Sequence, residues 1–217
     1  MKALIINYNR LLMPKRTADW CAGHGLIPII IDNHSTYEPL LEWYLKCPYT
    51  IIRLKENYGS HVLWKAPLFD FLKTEKQHIL TDPDLDLSGV PDDFLEVMQE
   101  GLKRYPEFTK IGLSLEINDL PDSPEGNFIR GVEGKYWRNP LDDRYFIADT
   151  DTTFCLRTQI EHTHKALRTN RPYTARHIPW YYTSFSALDA EEQNYFNTAI
   201  GGATGGSSGK DRILTYK

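Results

Sequence analysis

The chain is short of cysteine, of net charge and of long apolar runs, and each shortage removes a class of protein. Three cysteines, Cys21, Cys47 and Cys155, are spread over 217 residues. They are too few and too scattered for a disulfide framework or a zinc ribbon, and read as reduced, mostly buried thiols. Lys plus Arg number 25 against 29 Asp plus Glu, a net charge of −4. No basic surplus therefore points to nucleic acid, and no basic block to anionic lipid. The longest apolar run, 26–31 with Pro28 inside it, falls far below the roughly 20 residues of a bilayer span. The apolar run after Met1-Lys2 stops too early for a secretory signal, so the expected setting is the cytoplasm. No internal repeat is visible.

What remains is an ordinary soluble composition. Apolar residues make up 41%, charged residues 25% and aromatics 12%, which excludes a disordered or fibrous chain and leaves enough apolar material for one ample core. The first half alternates short apolar strands with helical patterns, the signature of an α/β fold with a mainly parallel sheet. Strands are expected at 3–7, 27–31, 49–54 and 78–81, and helices at 17–24 (closed by Gly25), 38–45, 62–74 and 94–105. Further on, 111–117 and 145–156 read as strands and 159–169 as a helix. Residues 119–143, rich in Pro, Gly, Asp and Asn, read as a functional loop region. The Gly/Ser-rich stretch 201–209 reads as a linker. The domain is thus expected over 1–200, with 210–217 as a tail or the start of a following domain.

Polar residues collect where the strands end: Asn7-Tyr8-Asn9-Arg10, Asp32-Asn33-His34-Ser35-Thr36, Asn57-Tyr58-Gly59 and Asp82-Pro83-Asp84-Leu85-Asp86. Carboxylates at a strand's carboxyl end suit a hard divalent cation, and ligand crevices in open α/β sheets form there. An EF-hand loop is excluded, because its sixth position would be Leu87 and its twelfth the short Asp93, where Gly and a bidentate acid are required. A local turn or cap is the plain alternative for any one of these Asn and Asp residues, though less so for all of them together.

In this order the motifs resemble the glycosyltransferases of the GT-A fold, of the family-2 type, and most closely the small glycosyltransferases encoded by large algal viruses. The resemblance covers roughly 1–185. It implies a Rossmann-like fold with a mixed, mainly parallel sheet flanked by helices. It also implies transfer of a hexose from a nucleotide sugar, a UDP-sugar before others, to a carbohydrate hydroxyl in glycan synthesis, with Mn²⁺ or Mg²⁺ as cofactor. By position, Asn7, Tyr8, Arg10, Asn33 and Asn57 would line the nucleotide pocket, Asp32 would meet base or ribose, and Asp82 would lie near the ribose and the metal. Asp84 would ligate the metal, joined by His177 from Arg176-His177-Ile178-Pro179-Trp180-Tyr181. Asp149 and Asp151 would edge the sugar pocket, with Asp151 as a candidate base.

Two other enzymes fit parts of the pattern. Asp149-Thr150-Asp151-Thr152-Thr153 after an apolar strand is how haloacid-dehalogenase-type phosphatases present a nucleophile, although Lys165 and Lys210 are followed by no acidic pair, Asp189 and Asp211 being isolated, and too little chain remains for the further βα units. A nucleotide-sugar nucleotidyltransferase would want a glycine-rich loop after strand one, where the chain has Asn9-Arg10-Leu11-Leu12. A non-catalytic carbohydrate-binding module would leave the acidic strand ends without a use.

Overall fold

The main sheet starts from the apolar runs. In the computed structural model, which describes residues 1–59, 62, 77–150, 153–158 and 164–199, β1 (Lys2–Asn7), β2 (Ile27–Asp32), β3 (Thr50–Arg53) and β4 (His78–Thr81) lie parallel in the order β3-β2-β1-β4. Both faces are covered. Leu4, Ile6, Ile29, Ile31 and Leu80 pack on one side. Ala3 and Ile79 join Cys21, Phe94, Met98 and Leu156 on the other. Burial on both faces is why these strands read as continuous apolar runs rather than alternating ones.

Beyond β4 the sheet continues through β9 (Cys155–Arg157), β6 (Lys110–Gly112), β10 (Leu167–Thr169) and β8 (Tyr145–Ile147). β9 is antiparallel to both its neighbours, β10 runs parallel to β6, and β8 closes the edge antiparallel to β10. The mixed, mainly parallel sheet expected from the sequence is therefore present. A second sheet of three short strands, β5 (Leu85–Asp86), β11 (Thr174–His177) and β7 (Ser114–Leu115), lies past the carboxyl ends of β4, β10 and β6.

Helix α1 (Leu12–Gly23) begins five residues earlier than expected. Pro14 falls in its first turn, where a missing N–H is harmless, so the proline was no obstacle to the helix. Its end follows the expected glycine: Gly25 has φ +74° and Leu26 N–H donates to the Cys21 carbonyl at 3.0 Å, a Schellman closure. α2 (Glu38–Tyr44) and α3 (Phe94–Arg104) lie where periodicity puts them. The expected helix 62–74 and the linker and tail 201–217 lie outside the described residues, apart from buried Val62.

Four expectations need correction. The region 119–143 is not all loop, because α4 (Pro124–Glu133) occupies its middle. Ser123 accepts from Gly126 N–H at 3.1 Å and Pro124 opens the first turn, a start signal masked by the two glycines inside the helix. The 159–169 helix is wrong at its end, since 167–169 form β10 with its branched residues paired on both sides. The single strand 145–156 is two strands, β8 and β9, and the single strand 111–117 is likewise two, β6 and β7, which belong to different sheets.

Gly126 is required by space. A Cβ there would overlap the Pro121 carbonyl oxygen, and a backbone atom gives way less easily than a side chain. Gly126→Ala is expected to cost about 1–3 kcal/mol, as overpacked sites do, read as a fall in the urea midpoint. An unchanged midpoint would show that the 119–123 segment moves aside freely.

Candidate active site

The carboxyl ends of β1, β2 and β4 meet α5 (Ala190–Thr198), which starts at Asp189, whose carboxylate caps Glu192 N–H at 2.8 Å. The centre is Arg10, only 2% exposed. Its Nε and Nη2 donate to the two carboxylate oxygens of Glu192 at 2.7 and 2.8 Å, and Nη1 donates to Asp84 Oδ2 at 2.8 Å. The guanidinium carbon lies 3.5 Å from the Tyr195 ring centroid. Burial alone would lower its pKa, but Tyr195, Asp84 and Glu192 raise it well above the ordinary value, so Arg10 is a permanent cation.

Asp84 and His177 come together across the small sheet. β11 pairs antiparallel with β5, His177 standing opposite Leu85, and Ile178 N–H donates to the Asp84 carbonyl at 2.9 Å. Nε2 of His177 then lies 3.5 Å from Asp84 Oδ2, with the Trp180 ring 4.9 Å from the imidazole. Burial pushes the Asp84 carboxyl up, but His177 and Arg10 more than reverse this and hold it well below the usual carboxylate range. Asp84 Oδ1 and His177 Nδ1 are buried atoms without hydrogen-bond partners.

Those unused atoms are a carboxylate oxygen and an imidazole nitrogen, the kinds of donor a divalent cation takes. The cluster sets two buried carboxylates, Asp84 and Glu192, against the Arg10 guanidinium, and a carboxylate suits hard cations such as Mn²⁺ while an imidazole is a common transition-metal ligand. Among the described residues no group of three or more His, Cys, Asp or Glu side chains surrounds an ion position. The protein would thus supply few ligands and leave the rest to water and phosphate oxygens, as Mg²⁺-type sites do.

The other expected nucleotide residues brace the rim. Asn7 Nδ2 donates to the Arg10 carbonyl at 2.8 Å and to Tyr44 Oη at 3.1 Å. Tyr44 O–H donates to Asp32 Oδ1 at 3.2 Å, and Arg53 Nε to Oδ2 at 3.0 Å. Asp32 has no exposed surface, so meeting a base or ribose would require Tyr44 or Arg53 to let go. Asn33 ties Asn57 Oδ1 at 2.9 Å and the Gly59 carbonyl at 3.1 Å while accepting from Tyr58 N–H at 2.8 Å. Tyr8 O–H donates to the Thr198 carbonyl at 3.2 Å. Asp82, half-buried, precedes Asp84 on the β4–β5 turn. Asn9 (φ +49°) and His34 (φ +66°) bend the rim turns through the left-handed region, which Asn and His enter more readily than most residues.

Asp149 is elsewhere, and this corrects the expected sugar-pocket role. Its carboxylate bonds Lys110 Nζ at 2.9 Å and His164 Nδ1 at 2.7 Å. Lys110 begins β6, level with Arg157, His78 and Lys2, so Asp149 is held toward the edge where the parallel strands start. The cause is direction: β8 is antiparallel, and its carboxyl end faces away from those of β1, β2 and β4. The phosphatase reading falls for the same reason, since its nucleophile belongs at the carboxyl end of a parallel strand. Asp151 lies outside the described residues.

Sequence reasoning missed Glu192, Tyr195, Tyr44 and Arg53. Asp189-Ala190-Glu191-Glu192 has the spacing of a capping box, which was the available signal for α5.

No protein-family model and no curated protein matches the chain. Among solved structures, glucosyl-3-phosphoglycerate synthase from Mycobacterium tuberculosis is similar. Its complex with phosphoglyceric acid aligns at a TM-score of 0.45 and 9% identity, over 72% of this chain and 56% of that one. Its complex with Mn²⁺, UDP-glucose and phosphoglyceric acid aligns at 0.46 and 8%, over 72% and 55%. The chain thus spans little more than half the length of that enzyme. No described helix is long and apolar enough to cross a membrane.

Proposed function

We propose that the chain is a metal-dependent glycosyltransferase of the GT-A type, moving a hexose from a UDP-sugar to a carbohydrate hydroxyl. The observation that carries this reading is the meeting of Asp84 and His177 at the carboxyl edge of the parallel strands, with buried donor atoms left over. Asp84 and His177 would hold Mn²⁺ or Mg²⁺, and Asp82 would face the ribose. When bound, the cation supplies Lewis-acid stabilisation of the charge on the departing diphosphate. The acceptor oxygen bonds to the anomeric carbon as the bond to the diphosphate oxygen breaks and UDP leaves with the electron pair. The hydroxyl proton goes to a base, for which Asp151 remains the proposal. Trp180, half-buried beside His177, offers an aromatic face for a sugar ring. The closer kinship to the algal-virus enzymes rests on the strand-end motifs, and the domain limits 1–200 remain part of the same proposal.

Incubation with UDP-hexoses and Mn²⁺ tests the reading. Slow UDP release, faster with an acceptor glycan and abolished by chelation, is the expected result. Pyrophosphate exchange instead would make the chain a nucleotidyltransferase, and neither activity would leave a binding module.

A further inference from the structure

We infer that Glu192 is a positioning residue for the metal ligand Asp84, acting through Arg10; the inference rests on the glycosyltransferase reading above. Glu192 takes the two-nitrogen fork of Arg10, its Oε1 and Oε2 accepting at 2.7 and 2.8 Å. Tyr182 O–H donates to the same Oε2 at 3.0 Å, and the Tyr195 ring, 3.5 Å away, supports the guanidinium face. The guanidinium is planar and rigid, so fixing one edge and one face fixes the direction of Nη1. That nitrogen reaches a single oxygen of Asp84, Oδ2, at 2.8 Å.

Two consequences follow for the metal. Asp84 is pinned through one oxygen, and the other, Oδ1, stays free of hydrogen bonds. Arginine forks prefer to grip a carboxylate through both oxygens. By absorbing the fork, Glu192 prevents Arg10 from closing over Asp84 in that way and blocking Oδ1. It also gives the Arg10 guanidinium a second carboxylate, so that the positive charge beside Asp84 is shared rather than spent on Asp84 alone. The neighbouring Glu191 has a different task. It accepts from Leu12 N–H at 3.0 and 3.2 Å, capping α1, and therefore serves as the control for merely seating α5.

The test measures Mn²⁺ binding by the full chain, with and without UDP, from the free-ion magnetic resonance signal, alongside melting temperatures. Glu192→Gln is expected to weaken Mn²⁺ binding about 10–100-fold, the scale of losing a partner behind a metal ligand, while Glu191→Gln stays within about threefold of the parent. Glu192→Asp, which keeps the charge on a shorter arm, should fall between Glu192→Gln and the parent, and it decides alone if Glu192→Gln does not fold. Full Mn²⁺ affinity in the folded Glu192 variants, or an equal loss in Glu191→Gln, overturns the positioning role. Asp84→Asn separates the two ideas. Should Asp84→Asn abolish binding while the Glu192 variants keep it, only the positioning role falls. Should Asp84→Asn bind Mn²⁺ like the parent, the metal reading falls and the positioning role with it.

Discussion

Asp84→Asn is expected to remove Mn²⁺-dependent UDP affinity by more than about 100-fold, beyond the 10–100-fold typical of a supporting partner. The amide has nearly the shape of the carboxylate but not its charge, and a neutral oxygen is a poor ligand for a hard cation. Titration calorimetry with and without Mn²⁺ checks it: the parent should show a large metal-dependent gain and the variant almost none. Equal gains in both would remove Asp84 from the metal site. His177→Ala should lose less, because Asp84 and the phosphates still hold the ion. The same carboxylate sets an acid limit on stability. Its folded pKa lies below its ordinary value, so its contribution is complete above the ordinary carboxylate range and is lost as pH falls toward the folded pKa. Asp84→Asn should flatten that acid-side decline.

Arg10→Ala should be the most damaging substitution for the fold itself. Arg10 is the cation shared by two carboxylates that are almost wholly buried, with side-chain exposures of 6% for Asp84 and 5% for Glu192. Removing it takes the guanidinium from both at once, and breaking a buried pair from one side costs about 3–5 kcal/mol. Urea unfolding should show a loss of that size. Glu192→Gln should then cost little in the Arg10→Ala background though it is costly alone, since its main partner is already gone. A loss below about 1 kcal/mol for Arg10→Ala would mean that water reaches the cluster and does the work of the guanidinium.

The elements legible in the sequence were those whose signal is local. Ile27–Asp32 is a strand because an apolar run of that length allows little else, and α3 is a helix because Phe94, Val97, Met98 and Leu102 fall on one face. The strand-end motifs were legible because a parallel sheet gathers carboxyl ends, which is how Asn7, Asp32 and Asp84 come to share one edge. What the sequence hid was direction and partnership. Nothing in Tyr145–Ile147 says that it runs antiparallel, and that fact alone carries Asp149 away from the site. Arg10 is placed in the nucleotide pocket by the position that the resemblance gives it, whereas Glu192, which engages it, lies far along the chain. Leu167-Arg168-Thr169 was absorbed into a helical pattern because three residues are too few to show a period.

The placement of β9 makes assembly of the protein wait on its late segments. β4 and β6 are not neighbours; Cys155–Arg157 stands between them, bonded to both. Until that segment has been synthesised, β4 presents an open strand edge, the kind of surface that recruits other chains. Pairings between residues so far apart in sequence also form slowly, because the intervening chain must first be confined. Arg10 waits longer still, since Glu192, one of its two carboxylate partners, arrives only with α5. A growing chain should therefore need shielding by chaperones through most of its synthesis, and fragments ending before Cys155 should aggregate rather than fold as a smaller working unit.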